Sequence, residues 1–280
     1  MNTPATLPRR PKGFMFDLDG TLILSNRALG SYEAIPGARE ALEELDRLGI
    51  PWLALTNGSA YSAGRQAPRL RDVGLPVPDE RLFTPNSVAA KVMLDRGYAK
   101  VLVLGTQGVA HALTELGVTC VMPGEEGANG ADAVYVAWHP DCTMDDIHAA
   151  CGRVLDGAAL LTASDVPWFA TKEGRSFGYS CAINGAIARV TGREPEATGK
   201  PSTHAMGFIA DVLGIDVADV GVVGDDATAE MQMARECGAI GIGVTSGSIG
   251  ADEWAAQPPG KMPHLVIHDI GELVTASGLR

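Results

Sequence analysis

Gly13-Phe14-Met15-Phe16-Asp17-Leu18-Asp19-Gly20-Thr21-Leu22 is the stretch from which the rest of the chain is read. Its first four residues are an apolar run that predicts a buried strand, and the run stops at Asp17. Residues two apart in an extended chain face the same side, so Asp17 and Asp19 present two carboxylates together. Like charges that close need a cation, or one of them keeps its proton. An oxygen-rich site of this kind suits magnesium. Gly20 then lets the chain turn sharply. The plain alternative is an Asx-turn with solvated carboxylates at a strand end.

Working outward, Ala38, Ala41, Leu42, Leu45 and Leu48 recur at helical spacing and Gly49 ends the pattern. Pro51-Trp52-Leu53-Ala54-Leu55 predicts the next strand, which stops at Thr56-Asn57-Gly58-Ser59. This is the spacing of a parallel strand–helix–strand unit. The alternation continues with strands at 101–104, 133–137 and 158–161 and helices at 107–116, from Thr143 onward, and at 181–191. Gly199-Lys200-Pro201 precedes a helix over 203–213. A strand at 220–223 then ends at Gly224-Asp225-Asp226, a helix covers Ala227–Cys237, and strands follow at 240–244 and 265–267. Apolar strands alternating with helices predict the α/β class, with a Rossmann-like, doubly wound parallel sheet covered on both faces. Ligands of such sheets lie beyond the carboxyl ends of the strands. Three strands deliver polar residues to that edge: Asp17 and Asp19, Thr56 and Asn57, Asp225 and Asp226.

Composition narrows the field. The chain has 280 residues, 46% of them hydrophobic, enough for one large domain or two modest ones. A formal net charge of −12 gives no electrostatic reason to track a polyanion, which argues against a nucleic-acid partner. No apolar stretch approaches membrane-spanning length, and Pro4, Pro8 and Pro11 make the opening segment read as a loose tail rather than a signal peptide. The five cysteines are odd in number and form no CxxC, the pattern of reduced thiols in a cytoplasmic protein. Gly241-Ile242-Gly243-Val244-Thr245-Ser246-Gly247 mimics a dinucleotide loop, but its spacing is wrong and it reads as a buried strand and turn.

The string Phe16-Asp17-Leu18-Asp19-Gly20-Thr21-Leu22 resembles the first motif of the haloacid dehalogenase superfamily in its phosphatase form. The other motifs of that family are matched in order. Thr56, with Asn57 after it, is similar to the second, Lys200 within Thr198-Gly199-Lys200-Pro201-Ser202 to the third, and Val222-Val223-Gly224-Asp225-Asp226 to the fourth. The resemblance implies that Asp17 is the nucleophile, forming an aspartyl-phosphate, and that Asp19 is the general acid and base. It implies Mg2+ held by the Asp17 carboxylate, the Asp19 backbone carbonyl and Asp225. It implies phosphate binding by Thr56, Asn57 and Lys200, on a small phosphorylated metabolite. Where the related branch carries a second aspartate in the fourth motif, this chain has Glu230, so either Glu230 or Asp226 is expected to play that part.

About 140 residues separate Thr56 from Lys200, which predicts an inserted α/β cap domain over 82–195 on a core of 13–81 and 196–280. Its placement resembles the type-2 cap of NagD-like phosphatases, which implies control of substrate choice and pairing of two copies through the cap as a homodimer. Ser164-Asp165 and the stretch 168–179 are candidate leaving-group contacts, and Trp138-His139 closes a cap strand. The rivals are a phosphotransferase or mutase with the same nucleophile, a dehalogenase, and a catalytically silent sensor of phosphorylated ligands.

Overall fold

The computed structural model describes residues 7–25, 31–171 and 174–279. Much of the expected loose tail, residues 1–6, and Lys172 and Glu173 of the candidate leaving-group stretch lie outside the described residues. The strands in chain order are β1 (Gly13–Phe16), β2 (Ile23–Ser25), β3 (Tyr32–Ala34), β4 (Trp52–Leu55), β5 (Leu82–Phe83), β6 (Val101–Leu104), β7 (Cys120–Val121) and β8 (Ala133–Val136). They continue with β9 (Ala159–Thr162), β10 (Trp168–Thr171), β11 (Gly174–Phe177), β12 (Glu196–Ala197), β13 (Val220–Gly224), β14 (Ile240–Val244) and β15 (Leu265–Ile267).

The larger sheet runs β15-β14-β13-β1-β4-β5, with parallel pairing throughout. Alternation along β1 sends Phe14 and Phe16 to one face and Met15 to the other. Phe14 and Phe16 join Trp52, Leu42, Leu45 and Leu70 beneath the helices Ala38–Arg47 and Ala63–Asp72. Met15 joins Leu53, Leu55, Val222, Ile209 and Met233 beneath the helices Thr203–Leu213 and Gln232–Cys237. Each buried Leu, Phe or Met contributes roughly 1.5–3 kcal/mol, so two such layers account for the doubly wound form.

Strand order places the site. From β1 the chain moves outward to β4 and β5, then returns to the other side of β1 to lay down β13, β14 and β15. The switch point therefore falls between β1 and β13, where a crevice opens beyond the strands' carboxyl ends. Phe16 is in register with Val223 on one side and Ala54 on the other, so the residues that follow these strands meet at one spot.

The second sheet runs β12-β9-β8-β6-β7, also parallel, between its own layers of apolar side chains. The expected boundaries at 82 and 196 do not follow the sheets. Leu82 and Phe83, assigned to the cap, pair with β4 in the core sheet, and Glu196 and Ala197, assigned to the core, pair with β9. Both strands are two residues long, too short for a readable pattern. The helices Ala63–Asp72 and Pro85–Asp95 and the hairpins β2–β3 and β10–β11 are additions to the sequence reading. The expected helix Ala227–Cys237 is in two parts: Ala227–Met231 is a π-turn and only Gln232–Cys237 is α-helical.

All five cysteines are unpaired. No helix among the described residues is long and apolar enough to cross a membrane.

Candidate active site

Asp17 follows β1 directly, and its N–H is held by the Val223 carbonyl of β13 at 2.9 Å. The Leu18 carbonyl then accepts from the N–H groups of Leu22 and Ile23, both at 2.9 Å, folding the chain back on itself. This turn carries Asp19 out to the solvent side, where Ser25 of β2 hydrogen-bonds its carboxylate. Partial loss of hydration in the crevice raises the Asp19 pKa to about 6; Ser25 acts against the shift and the charge of Asp17 adds to it.

Lys200 is the buried cation of the site, 1% exposed. Its ammonium contacts the Asp17 carboxylate and lies 2.6 Å from Glu230 Oε1. Burial alone would lower the pKa of this amine, but the two carboxylates outweigh it and the net direction is upward, so Lys200 stays charged. Burial pushes Glu230 up; Lys200 opposes this, and the charges of Asp17 and Asp225 reinforce it.

Of the two acids expected in the fourth motif, Glu230 is the one that contacts the Lys200 ammonium. Asp226 caps the π-turn instead: its Oδ1 accepts from the Thr228 N–H at 2.6 Å and the Thr228 hydroxyl at 2.7 Å. The π-turn brings Glu230 back over Gly224, where any Cβ would collide with the Glu230 side chain. Glu230 Oε2 also accepts the Asp226 N–H at 3.2 Å.

Thr56 sits at the end of β4, buried, with its hydroxyl accepting the Gly58 N–H at 3.0 Å. Asn57 Nδ2 donates to the Lys200 carbonyl and Asn57 Oδ1 accepts the Lys200 N–H, each at 2.9 Å, so the amide positions the Lys200 backbone. Lys200-Pro201 is a cis peptide.

Asp225 is buried beside Asp17. Its Oδ2 accepts the Ser248 N–H at 2.8 Å, and its backbone carbonyl accepts the Ser248 hydroxyl at 2.9 Å. Burial, with the negative charge of Asp17 as the next cause, raises its pKa to about 7. Gly20, at φ 82°, and Gly247 both lack a Cβ exactly where one would strike this carboxylate. Two buried carboxylates close together, one of them seated against glycine backbone, are the hard oxygen donors a divalent cation takes. Ser246 and Ser248 were not singled out in the sequence; the polar run ending β14, next to β13 in the sheet, was their signal. Ser246 donates to the Gly20 carbonyl at 2.8 Å, joining that loop to the first motif.

The second sheet is tied to this edge of the core. Ser59, three residues after Thr56, accepts the Trp138 N–H on its hydroxyl at 3.1 Å and the Asn86 amide on its carbonyl at 3.0 Å. The Gly199 N–H donates to Ala163 at 2.9 Å. Trp138 and Phe177 both pack edge-on against Tyr179, at 4.7 and 4.9 Å between ring centroids. His139 meets Cys142 and Asp146 beside this cluster, but Asp146 is the capping partner of Thr143, whose N–H and hydroxyl it accepts at 2.8 Å.

Residues 14–119 match the family model described as haloacid dehalogenase-like hydrolase, and residues 197–273 match a second, HAD-hydrolase-like, model. The chain is 28% identical over 228 residues to the 5'-nucleotidase YutF of Bacillus subtilis, covering 81% of this chain and 84% of that protein. It superposes on the p-nitrophenyl phosphatase from Archaeoglobus fulgidus with a TM-score of 0.84 at 25% identity, over 96% of this chain and 100% of the other. The fold is also that of the glycerol phosphate phosphatase Rv1692 from Mycobacterium tuberculosis in complex with magnesium, with a TM-score of 0.79 at 23% identity, over 94% of this chain and 76% of that one.

Proposed function

We propose that the chain is a phosphatase of the haloacid dehalogenase-like hydrolases, and that it hydrolyses a small phosphate monoester through an aspartyl-phosphate on Asp17, with Mg2+ as its cofactor. The observation that carries the reading is the contact of the Asp17 carboxylate with buried Lys200, beside Asp225 at the switch point of the sheet.

Asp17 attacks phosphorus, forming the Asp17–phosphorus bond as the bond to the leaving oxygen breaks. Asp19, with a pKa of about 6, holds a proton often enough near neutrality to deliver it to the departing alkoxide, and its carboxylate then accepts a proton from the water that hydrolyses the phosphoenzyme. Lys200 offsets the charge that accumulates between Asp17 and the phosphoryl oxygens. The Thr56 hydroxyl is free to donate to a phosphoryl oxygen while it accepts from Gly58. Asp17, Asp225 and the Asp19 carbonyl would hold the magnesium, whose charge stabilises the negative phosphoryl group. Phosphate-monoester hydrolysis is among the slowest uncatalysed reactions, accelerated by up to ~10²¹, so charge balance of this kind has to supply most of the catalysis.

The segment between Thr84 and Thr198 acts as the cap that selects the leaving group, a reading supported by the Ser59–Trp138 and Gly199–Ala163 links across the crevice. A cytoplasmic location, supported by the unpaired cysteines, and a homodimer paired through the cap complete the proposal. Light scattering in solution tests the dimer. The activity is tested by turnover of p-nitrophenyl phosphate with and without magnesium, with Asp17→Asn as control. Turnover that survives Asp17→Asn, or that ignores chelation, overturns the mechanism.

A further inference from the structure

The loop after β4 is held to the second sheet by a chain of buried polar groups that the chemistry above does not use. Tyr135 lies on β8, the middle strand of that sheet, and shares an apolar layer with Ala89, Ala90 and Met93 of the helix Pro85–Asp95. Its phenol donates to Oδ1 of Asn86, in the first turn of the same helix, at 3.0 Å. Asn86 Nδ2 in turn donates to the Ser59 carbonyl at 3.0 Å. Tyr135 and Asn86 are both 0% exposed, so water cannot replace either partner. Burial pushes the Tyr135 phenol up, which keeps it an O–H donor. Three residues further on, the same segment holds the loop a second time, through the bond of 3.1 Å from the Trp138 N–H to the Ser59 hydroxyl.

Ser59 closes a short loop that opens with Thr56, whose hydroxyl accepts the Gly58 N–H at 3.0 Å. One end of this loop is fixed by β4 and the other by the two bonds that come from the second sheet. A cap that only screened leaving groups could meet the core through polar, solvated contacts. A hydrogen-bond chain buried along its length instead fixes a single arrangement, because breaking any link leaves a polar group stranded in a dry interior.

We propose that Tyr135 and Asn86 are positioning residues for phosphate binding: through the Ser59 carbonyl they hold the loop 56–59, and with it the Thr56 hydroxyl, in place beside Asp17 and Lys200. This rests on the phosphatase reading and adds two residues to its site. Both act through Ser59 on the phosphate side of the scissile bond, so their effect is the same for every leaving group.

The test is Tyr135→Phe, which removes one hydroxyl and no carbon. The readouts are kcat/KM on p-nitrophenyl phosphate and on an alkyl phosphate that the wild type accepts, the inhibition constant of orthovanadate, and Tm. Both kcat/KM values should fall by the same factor, about tenfold, and orthovanadate should bind about tenfold more weakly. Ser59→Ala removes only the bond from Trp138 and should move the same three kinetic readouts by about threefold. A lowered Tm with unchanged kinetics and unchanged orthovanadate inhibition overturns the proposal, as does a fall confined to one of the two esters. Should Tyr135→Phe fail to fold, Ser59→Ala is judged by these same outcomes. If the wild type turns over no phosphate ester, the phosphatase reading has failed instead. Calorimetric binding of orthovanadate to the wild type and to Tyr135→Phe then decides the positioning role, and equal affinities, or no binding to the wild type, refute it.

Discussion

Asn57 and Lys200 are joined by two hydrogen bonds of 2.9 Å across 143 residues of chain, side-chain amide to backbone peptide. The pairing fixes the backbone from which the Lys200 side chain reaches Asp17. It also joins the loop after β4 to the segment that leaves the cap. A residue two positions from the end of a strand thereby sets where the only cation in contact with Asp17 among the described residues is placed.

Asn57→Ala removes both bonds and strands the Lys200 peptide groups. Two partly buried hydrogen bonds at about 1 kcal/mol each imply a loss of about 2 kcal/mol, read as a lower urea midpoint. Lys200 would also be less well placed, so kcat should fall by about tenfold or more with KM less affected. Loss in stability without loss in kcat would show that Lys200 keeps its position unaided.

Lys200→Met should be the most damaging change at the site. It leaves Asp17 and Glu230 buried without their counter-ion, at a cost of about 3–5 kcal/mol. Glu230→Gln keeps the shape and leaves Asp17 on the ammonium, so it should cost less. Chemical denaturation of the two variants reads the order directly, and the reverse order would mean that Lys200 is not the counter-ion of the cluster.

Asp225 and Asp19 predict how pH and metal act together. Their pKa values in the fold, about 7 and about 6, lie above the ordinary 3.8. A carboxyl group raised in this way binds its proton more tightly when folded. Its contribution to stability is complete below pH 3.8 and is lost as pH rises, by about 7 for Asp225 and about 6 for Asp19. For Asp225 the loss is on the order of 4 kcal/mol. Metal-free protein should therefore carry a stability deficit at pH 8 relative to pH 5 that Asp225→Asn reduces. Added magnesium should raise Tm at pH 8 and do little at pH 5, where protons compete with it. Equal magnesium stabilisation at both values would contradict the assignment of Asp225.

Asp19→Asn removes the proton donor and acceptor but keeps the nucleophile. On an alkyl phosphate kcat should fall by about 10²–10⁴. On p-nitrophenyl phosphate, whose leaving group needs no proton, formation of the phosphoenzyme should survive better than its hydrolysis. Rapid mixing should then show a burst of p-nitrophenol close to one equivalent per site. Linear release with the same overall rate loss would assign Asp19 to the first step alone.

Much of this molecule can be read from residue order, because the strongest signals are local. An apolar run ending in Asp17-Leu18-Asp19-Gly20-Thr21 declares a strand and the turn after it, and the same logic recovers β4 at Thr56 and β13 at Asp225. Parallel strands collect their carboxyl ends at one edge, so the convergence of these residues follows from the alternation of strands and helices alone. Tertiary structure decided what depends on pairing between distant segments. Leu82–Phe83 and Glu196–Ala197 are too short to show which sheet they join, and only their neighbours β4 and β9 assign them. That Asn57 holds the Lys200 peptide, 143 residues away, shows only in the fold. Asp226 and Glu230 are both acids of the fourth motif, and a π-turn, which leaves no periodic mark in five residues, sets one to capping the turn and the other on the Lys200 ammonium. Local backbone preference is written in neighbouring residues, whereas the partner of a buried charge is settled by which segments the packed core brings together.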